Sequence, residues 1–106
     1  MSEKIFTDLN FEEEVINSDK TVLVDFFASW CGPCKMQGPI VEDLAQEMGD
    51  SVKIGKLDVD ANPETAQKFS VMSIPTIIIF KNGEAMQTLI GLQSKDGLKS
   101  ELEKLI

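Results

Sequence analysis

The sequence has no histidine and no arginine, and it holds only two cysteines and one tryptophan in 106 residues. Without imidazole, the chain offers no histidine-containing zinc site, no histidine general base and no Cys-His nucleophile pair. Ten lysines face eighteen acidic residues, and the resulting net charge of -8 repels phosphate backbones and anionic headgroups. Nucleic acid and membranes are therefore not expected partners. No apolar run approaches the ~20 residues of a membrane span. The start, Met1-Ser2-Glu3-Lys4, lacks the basic and then apolar character of a secretory signal. These absences make a cytoplasmic location the expectation, and in a reducing compartment a closely spaced cysteine pair is catalytic or metal-binding.

What is present is ordinary globular composition, 42% hydrophobic and 26% charged, with no linker, repeat or biased segment. Residues 1–106 are expected to form a single domain and to act as a monomer. Residues 3–6 suit a short first strand. Asn10 and Glu13 have the spacing of a capping box for a first helix that buries Phe11 and Val15. Residues 21–28 form a nearly continuous apolar run, as expected of a strand covered on both faces. A helix after the cysteines repeats Met36, Ile40, Leu44 and Met48 and stops at Gly49. A strand over residues 52–59 completes a βαβ unit. Asn62-Pro63-Glu64 reads as the cap and first turn of a short helix. Residues 76–80 and 85–90 flank Asn82-Gly83, a hairpin signal. A last helix begins near Ser94, with Leu98, Leu102 and Leu105 inward. The fold class is α/β: a mixed sheet, parallel in its first half and antiparallel at its end, with helices on both faces.

The chemistry centres on Trp30-Cys31-Gly32-Pro33-Cys34, which lies between the apolar strand and the following helix. Cysteines three apart close too short a loop to stabilise the fold much, so reactivity explains them better. Cys31 falls just before the first helical turn, where unpaired N–H groups and the helix dipole favour thiolate and lower its pKa from roughly 8.5. It is the expected nucleophile, and Cys34, one turn on and facing inward, the expected resolving thiol. A metal clip remains the alternative for a bare Cys-x-x-Cys, and an iron–sulfur site would need ligands from a second copy.

Asp25 is an acid inside an apolar strand, which costs several kcal/mol unless it is paired or protonated. It is expected to be buried with a raised pKa and to move protons to and from Cys34. The competing reading is a carboxylate at a strand end that reaches water. Lys56, on the neighbouring strand, either approaches Asp25 and tunes it or extends to the surface. Ile74-Pro75-Thr76 introduces a strand with a proline, where either a cis bond or an ordinary trans turn fits.

Taken in order, Val24-Asp25-Phe26, Trp30-Cys31-Gly32-Pro33-Cys34-Lys35, Pro39, Lys56, Asp60-Ala61-Asn62, Ile74-Pro75-Thr76, Phe80-Lys81-Asn82-Gly83 and Gly91 resemble the thioredoxin family nearly end to end. A depressed thiol pKa and a reducing dithiol are established properties of that family. The resemblance implies a five-stranded mixed sheet with four helices and a cis bond before Pro75. It implies an apolar docking surface made by Trp30, Gly32, Pro33, Val59, Ile74, Pro75, Gly91 and Leu92. The implied activity is general dithiol–disulfide exchange with no bound cofactor, the electrons coming from a thioredoxin reductase. The implied substrates are disulfide-containing proteins such as ribonucleotide reductase, peroxiredoxin or methionine sulfoxide reductase. Four features depart from the commonest bacterial pattern: Phe27 in place of a second tryptophan, Gln37-Gly38 ahead of Pro39, Met72 beside the proline loop, and the large Leu92 after Gly91. A disulfide donor on the same fold, or a scaffold with idle cysteines, are the competing functions.

Overall fold

The computed structural model describes residues 3–106. Five strands, β1 (Lys4–Ile5), β2 (Val22–Phe27), β3 (Lys53–Asp58), β4 (Thr76–Lys81) and β5 (Glu84–Ile90), form one sheet in the order β1-β3-β2-β4-β5. β1 and β2 run parallel to β3, while β4 is antiparallel to both β2 and β5. Four helical elements cover the sheet: α1 (Glu12–Ile16, π-helical), α2 (Gly32–Met48), α3 (Pro63–Lys68) and α4 (Lys95–Glu103). A short 3-10 turn, Gly49–Ser51, links α2 to β3. This is the thioredoxin fold implied by the resemblance.

The central strands β2 and β4 are buried along almost their whole length, which is why they read as nearly continuous apolar runs. Their alternation divides the core. Leu23, Ile54, Ile77 and Ile79 pack under α2 and α4 with Val41, Leu44, Leu98 and Leu102. Val22, Val24, Phe26, Leu57, Ile78 and Phe80 pack on the opposite face with Phe6, Phe11 and Val15. Gly55 allows that second face to close, because a Cβ there would stand 2.5 Å from Cε2 of Phe6 and 2.7 Å from the Lys4 carbonyl oxygen. At the β4–β5 hairpin, Asn82 and Gly83 both take positive φ, 54° and 80°, as a tight hairpin turn requires.

Three local expectations give way to other arrangements. The Asn10 and Glu13 capping box does not form: Phe11 stands at the cap position of α1 with no side-chain hydrogen bond. Asn10 instead accepts from the Thr7 N–H and donates to the Ile5 carbonyl, closing the turn after β1. Asn62 does not cap α3 with its side chain. Asp8, 57 residues before Thr65, accepts from the Glu64 and Thr65 N–H groups and does that work across the fold. Met36 is 61% exposed, and the inward side of α2 is instead Cys34, Gln37, Val41, Leu44 and Ala45. A repeat of four drifts by about 40° per step on a helix of 3.6 residues per turn, so Met36 at one end of that series rotates off the buried face.

Candidate active site

α2 begins where β2 ends at the middle of the sheet, and its cap residue is Cys31. The backbone at Cys31 is extended, and the Cys34 N–H points at its Sγ from 3.3 Å. The pair is joined as a disulfide with Cα atoms 5.2 Å apart. Both cysteines are buried and pack with Ala28, Phe27, Val59 and Ile74. The helix N-terminus therefore presents the Cys34 N–H and the positive end of its dipole to the Cys31 sulfur, an arrangement that stabilises negative charge there.

Of the expected docking residues, Val59 and Ile74 pack against this disulfide, and Pro75, expected on the surface, is buried. Ile74 and Pro75 are joined by a cis peptide bond, and the Ile74 carbonyl oxygen lies 3.8 Å from Cys31 Sγ. The Gly91 N–H donates to the Pro75 carbonyl at 2.9 Å, so the turn after β5 is held beside the proline loop. Trp30, Gly32, Pro33 and Leu92 are exposed, and Val59 and Ile74 are half-buried. Trp30 is fixed by its indole N–H, which donates to Asp60 at 2.8 Å. Met72 is 94% exposed, which adds an apolar side chain close to this rim.

Beneath the disulfide, on the α2 side, a cleft of about 380 Å³ is lined by Cys34, Lys35, Gly38, Pro39 and Glu42 from the helix. Asp25 and Lys56 line it from the sheet. Asp25 sits opposite Lys56 in β3 and Ile77 in β4. It is 1% exposed, and its Oδ1 has no hydrogen-bond partner among the described residues. The strand-end reading of this carboxylate is thereby excluded. Burial is the main reason its pKa rises from 3.8 to about 7; the charge of Glu3 raises it further and Lys56 opposes the rise. The Lys56 ammonium also lies 5.6 Å from the centre of the Phe27 ring.

Two residues of this region escape a reading of the sequence. Glu3 reaches the same cleft, with its Oε2 buried and unpartnered among the described residues. Burial raises its pKa, Lys56 lowers it and Glu42 raises it. No sequence pattern joins Glu3 to Asp25; only the β1-β3-β2 order does. Gln37 is fully buried one turn after Cys34, where its side chain pairs with the backbone of Gln93. Its signal was a polar side chain three residues after an inward cysteine.

Among the described residues, no group of three or more His, Cys, Asp or Glu could hold a metal ion, and no helix is long and apolar enough to cross a membrane. The thioredoxin family model matches residues 2–104. The chain is 50% identical over 100 residues to the thioredoxin of Rickettsia typhi, covering 94% of this chain and 95% of that one. It is 48% identical over 100 residues to that of Mycobacterium tuberculosis, covering 94% and 86%. It is 48% identical over 106 residues to that of Porphyra purpurea, covering 100% and 99%. With its cysteine pair at the head of α2 and this likeness along the whole sheet, the chain belongs to the thioredoxin family, whose members are protein disulfide oxidoreductases that act by thiol–disulfide exchange.

Proposed function

We propose that this chain, acting as a single-domain monomer in the cytoplasm, is a general reductant of protein disulfides and is recharged by a thioredoxin reductase. The observation that carries the assignment of roles is the position of Cys31: at the cap of α2, bonded to Cys34, and next to the exposed Trp30 and the half-buried Ile74.

In the reduced form, the Cys31 thiolate attacks one sulfur of a substrate disulfide. A mixed disulfide forms and the other substrate sulfur leaves as a thiolate. Cys34 then loses its proton and attacks Cys31 Sγ. The second substrate thiolate leaves, and the Cys31–Cys34 disulfide remains. Two electrons have passed from the dithiol to the substrate. Asp25 accepts the Cys34 proton. A carboxyl with a pKa of about 7 is suited to this, because it holds or releases a proton near neutral pH. Lys56 is a tuning charge: its attraction keeps the carboxylate form of Asp25 accessible.

The docking surface is Trp30, Gly32, Pro33, Val59, Ile74, Pro75, Gly91 and Leu92. Apolar side chains and exposed backbone tolerate many partner sequences, which suits a general reductant. Substrates are disulfide-containing proteins of the kind that ribonucleotide reductase, peroxiredoxin and methionine sulfoxide reductase represent. No bound cofactor takes part in the exchange. The charge of -8 disfavours nucleic acid and anionic membrane as partners.

The test is disulfide trapping. Cys34→Ser is expected to accumulate substrate as a mixed disulfide on Cys31, and Cys31→Ser to trap none and lose protein-disulfide reduction. Retained reduction by Cys31→Ser would remove the nucleophile assignment. A Cys31/Cys34 potential clearly more oxidising than the glutathione pool would make the protein a disulfide donor instead.

A further inference from the structure

Gln37 is the departure from the family pattern that the reaction leaves unexplained. It is a polar side chain with no exposure at all, set in the stripe of α2 that also carries Cys34. A buried amide is tolerated only where its donor and acceptor are both paired. Here both are paired to one residue: the Gln37 carbonyl accepts from the Gln93 N–H at 2.7 Å, and its amide donates to the Gln93 carbonyl at 3.1 Å. The side chain thus pairs with residue 93 much as a neighbouring strand would.

Gln93 closes the loop from its own side. Its side-chain amide lies 3.3 Å from the carbonyl oxygens of both Ile90 and Gly91. With the Gly91 N–H held by Pro75, residues 91 and 93 are anchored and Leu92 is displayed between them, 45% exposed. An aliphatic residue at position 37 would fill the space but leave the Gln93 N–H and carbonyl without these partners.

We propose that Gln37 is a positioning residue for protein substrates. It ties the docking loop of residues 91–93 to the helix that carries Cys31 and Cys34, and so fixes where Leu92 stands relative to the reactive sulfur. The proposal rests on the disulfide-reductase reading above. It predicts a division by substrate size, because a small aromatic disulfide reaches Cys31 without using the loop whereas a folded protein must lie across it.

The experiment compares wild type, Gln37→Leu and Gln37→Met with two probes: insulin as the protein disulfide and 5,5′-dithiobis(2-nitrobenzoic acid) as the small one. Hydrogen exchange at the Gln93 N–H is followed in parallel. The expected result is faster exchange at Gln93 and an insulin KM raised about threefold to tenfold, the range for losing one net hydrogen bond that holds the loop. The insulin kcat, the rate with the small disulfide and the Cys31/Cys34 potential should stay as in wild type. Gln37→Met keeps the length of the side chain, so it serves if Gln37→Leu does not fold. An unchanged insulin KM despite faster exchange at Gln93 would overturn the proposal, and so would an equal loss with both probes. Failure of wild type to reduce either probe would instead defeat the reductase reading, leaving the two failures distinguishable.

Discussion

On one face of the sheet, Val24 and Phe26 of β2 lie against a cluster in which Phe6, Phe11, Phe69 and Phe80 meet ring to ring. On the other, their sequence neighbours Leu23 and Asp25 lie beneath α2, and the apolar packing gives way at Asp25 to a cleft holding four further charged groups, Glu3, Lys35, Glu42 and Lys56. One strand thus supplies a sealed hydrocarbon face and a charged one from adjacent residues. The sealed face contributes stability through close packing. The charged face gives up stability, since a buried carboxylate without a full set of partners is costly to ionise, and that cost is what places its titration near neutral pH.

The largest test of this contrast is on the sealed side. Phe80 is fully buried, with ring centroids 5.5 Å from Phe11 and 5.0 Å from Phe69, both edge-on. Phe80→Ala should cost about 3–5 kcal/mol in chemical denaturation, a large part of the stability of a domain of this size. A loss under 1 kcal/mol would mean that the aromatic cluster is not the structural core.

On the charged side the effect should have the opposite sign. The Asp25 carboxyl titrates near 7 in the folded protein against an ordinary 3.8. Its contribution to stability is therefore complete below about pH 4 and declines as pH rises through 7. Asp25→Asn does not titrate, so the variant should gain on wild type between those values. The gain should level off above pH 7 at no more than about 4 kcal/mol. The same substitution should slow the resolving attack of Cys34. Stability curves for the two proteins that stay parallel from pH 4 to 8 would show that Asp25 is not the strained group.

The smallest effect sharpens the comparison within the cleft. The charge of Glu3 is second to burial in raising the Asp25 pKa. Glu3→Gln should move the Asp25 carboxyl titration, followed by carbon-13 NMR, to lower pH while leaving the fold intact. No movement would mean that the charge of Glu3 does not act on Asp25.

Much of this architecture is legible in the chain because it follows from local rules. The apolar runs at β2 and β4, Asn82-Gly83 at the hairpin, and Ser94, whose hydroxyl accepts from the Gly97 N–H at the head of α4, all stand as the sequence suggests. Cys31 and Cys34 are legible for the same reason, since a strand-to-helix junction is itself a local feature. The two asparagine caps fail for one reason. Asn10 and Asn62 have the residue types of helix caps, but a short polar side chain takes whichever partner the fold brings nearest. For Asn10 these were Ile5 and Thr7; Asn62 accepts from the Asp8 N–H, while the Asp8 carboxylate takes over the start of α3. Met36 is exposed and Gln37 is buried because helix phase is set by what packs on the helix, and hydropathy alone ranks the methionine first.

Read alone, the chain determined that a reactive dithiol stands between a buried strand and a helix, and that an acid lies in that strand six residues before Cys31. Both follow from residue type and spacing along a single segment. Only the tertiary structure decided that the acid titrates near 7, that Glu3 and Lys56 act on it in opposite directions, and that Gln37 pairs with the backbone of Gln93. A pKa depends on the solvent and charge around a group, and a side-chain hydrogen bond depends on which distant backbone arrives beside it. Each is a property of the neighbourhood created when segments far apart in sequence meet.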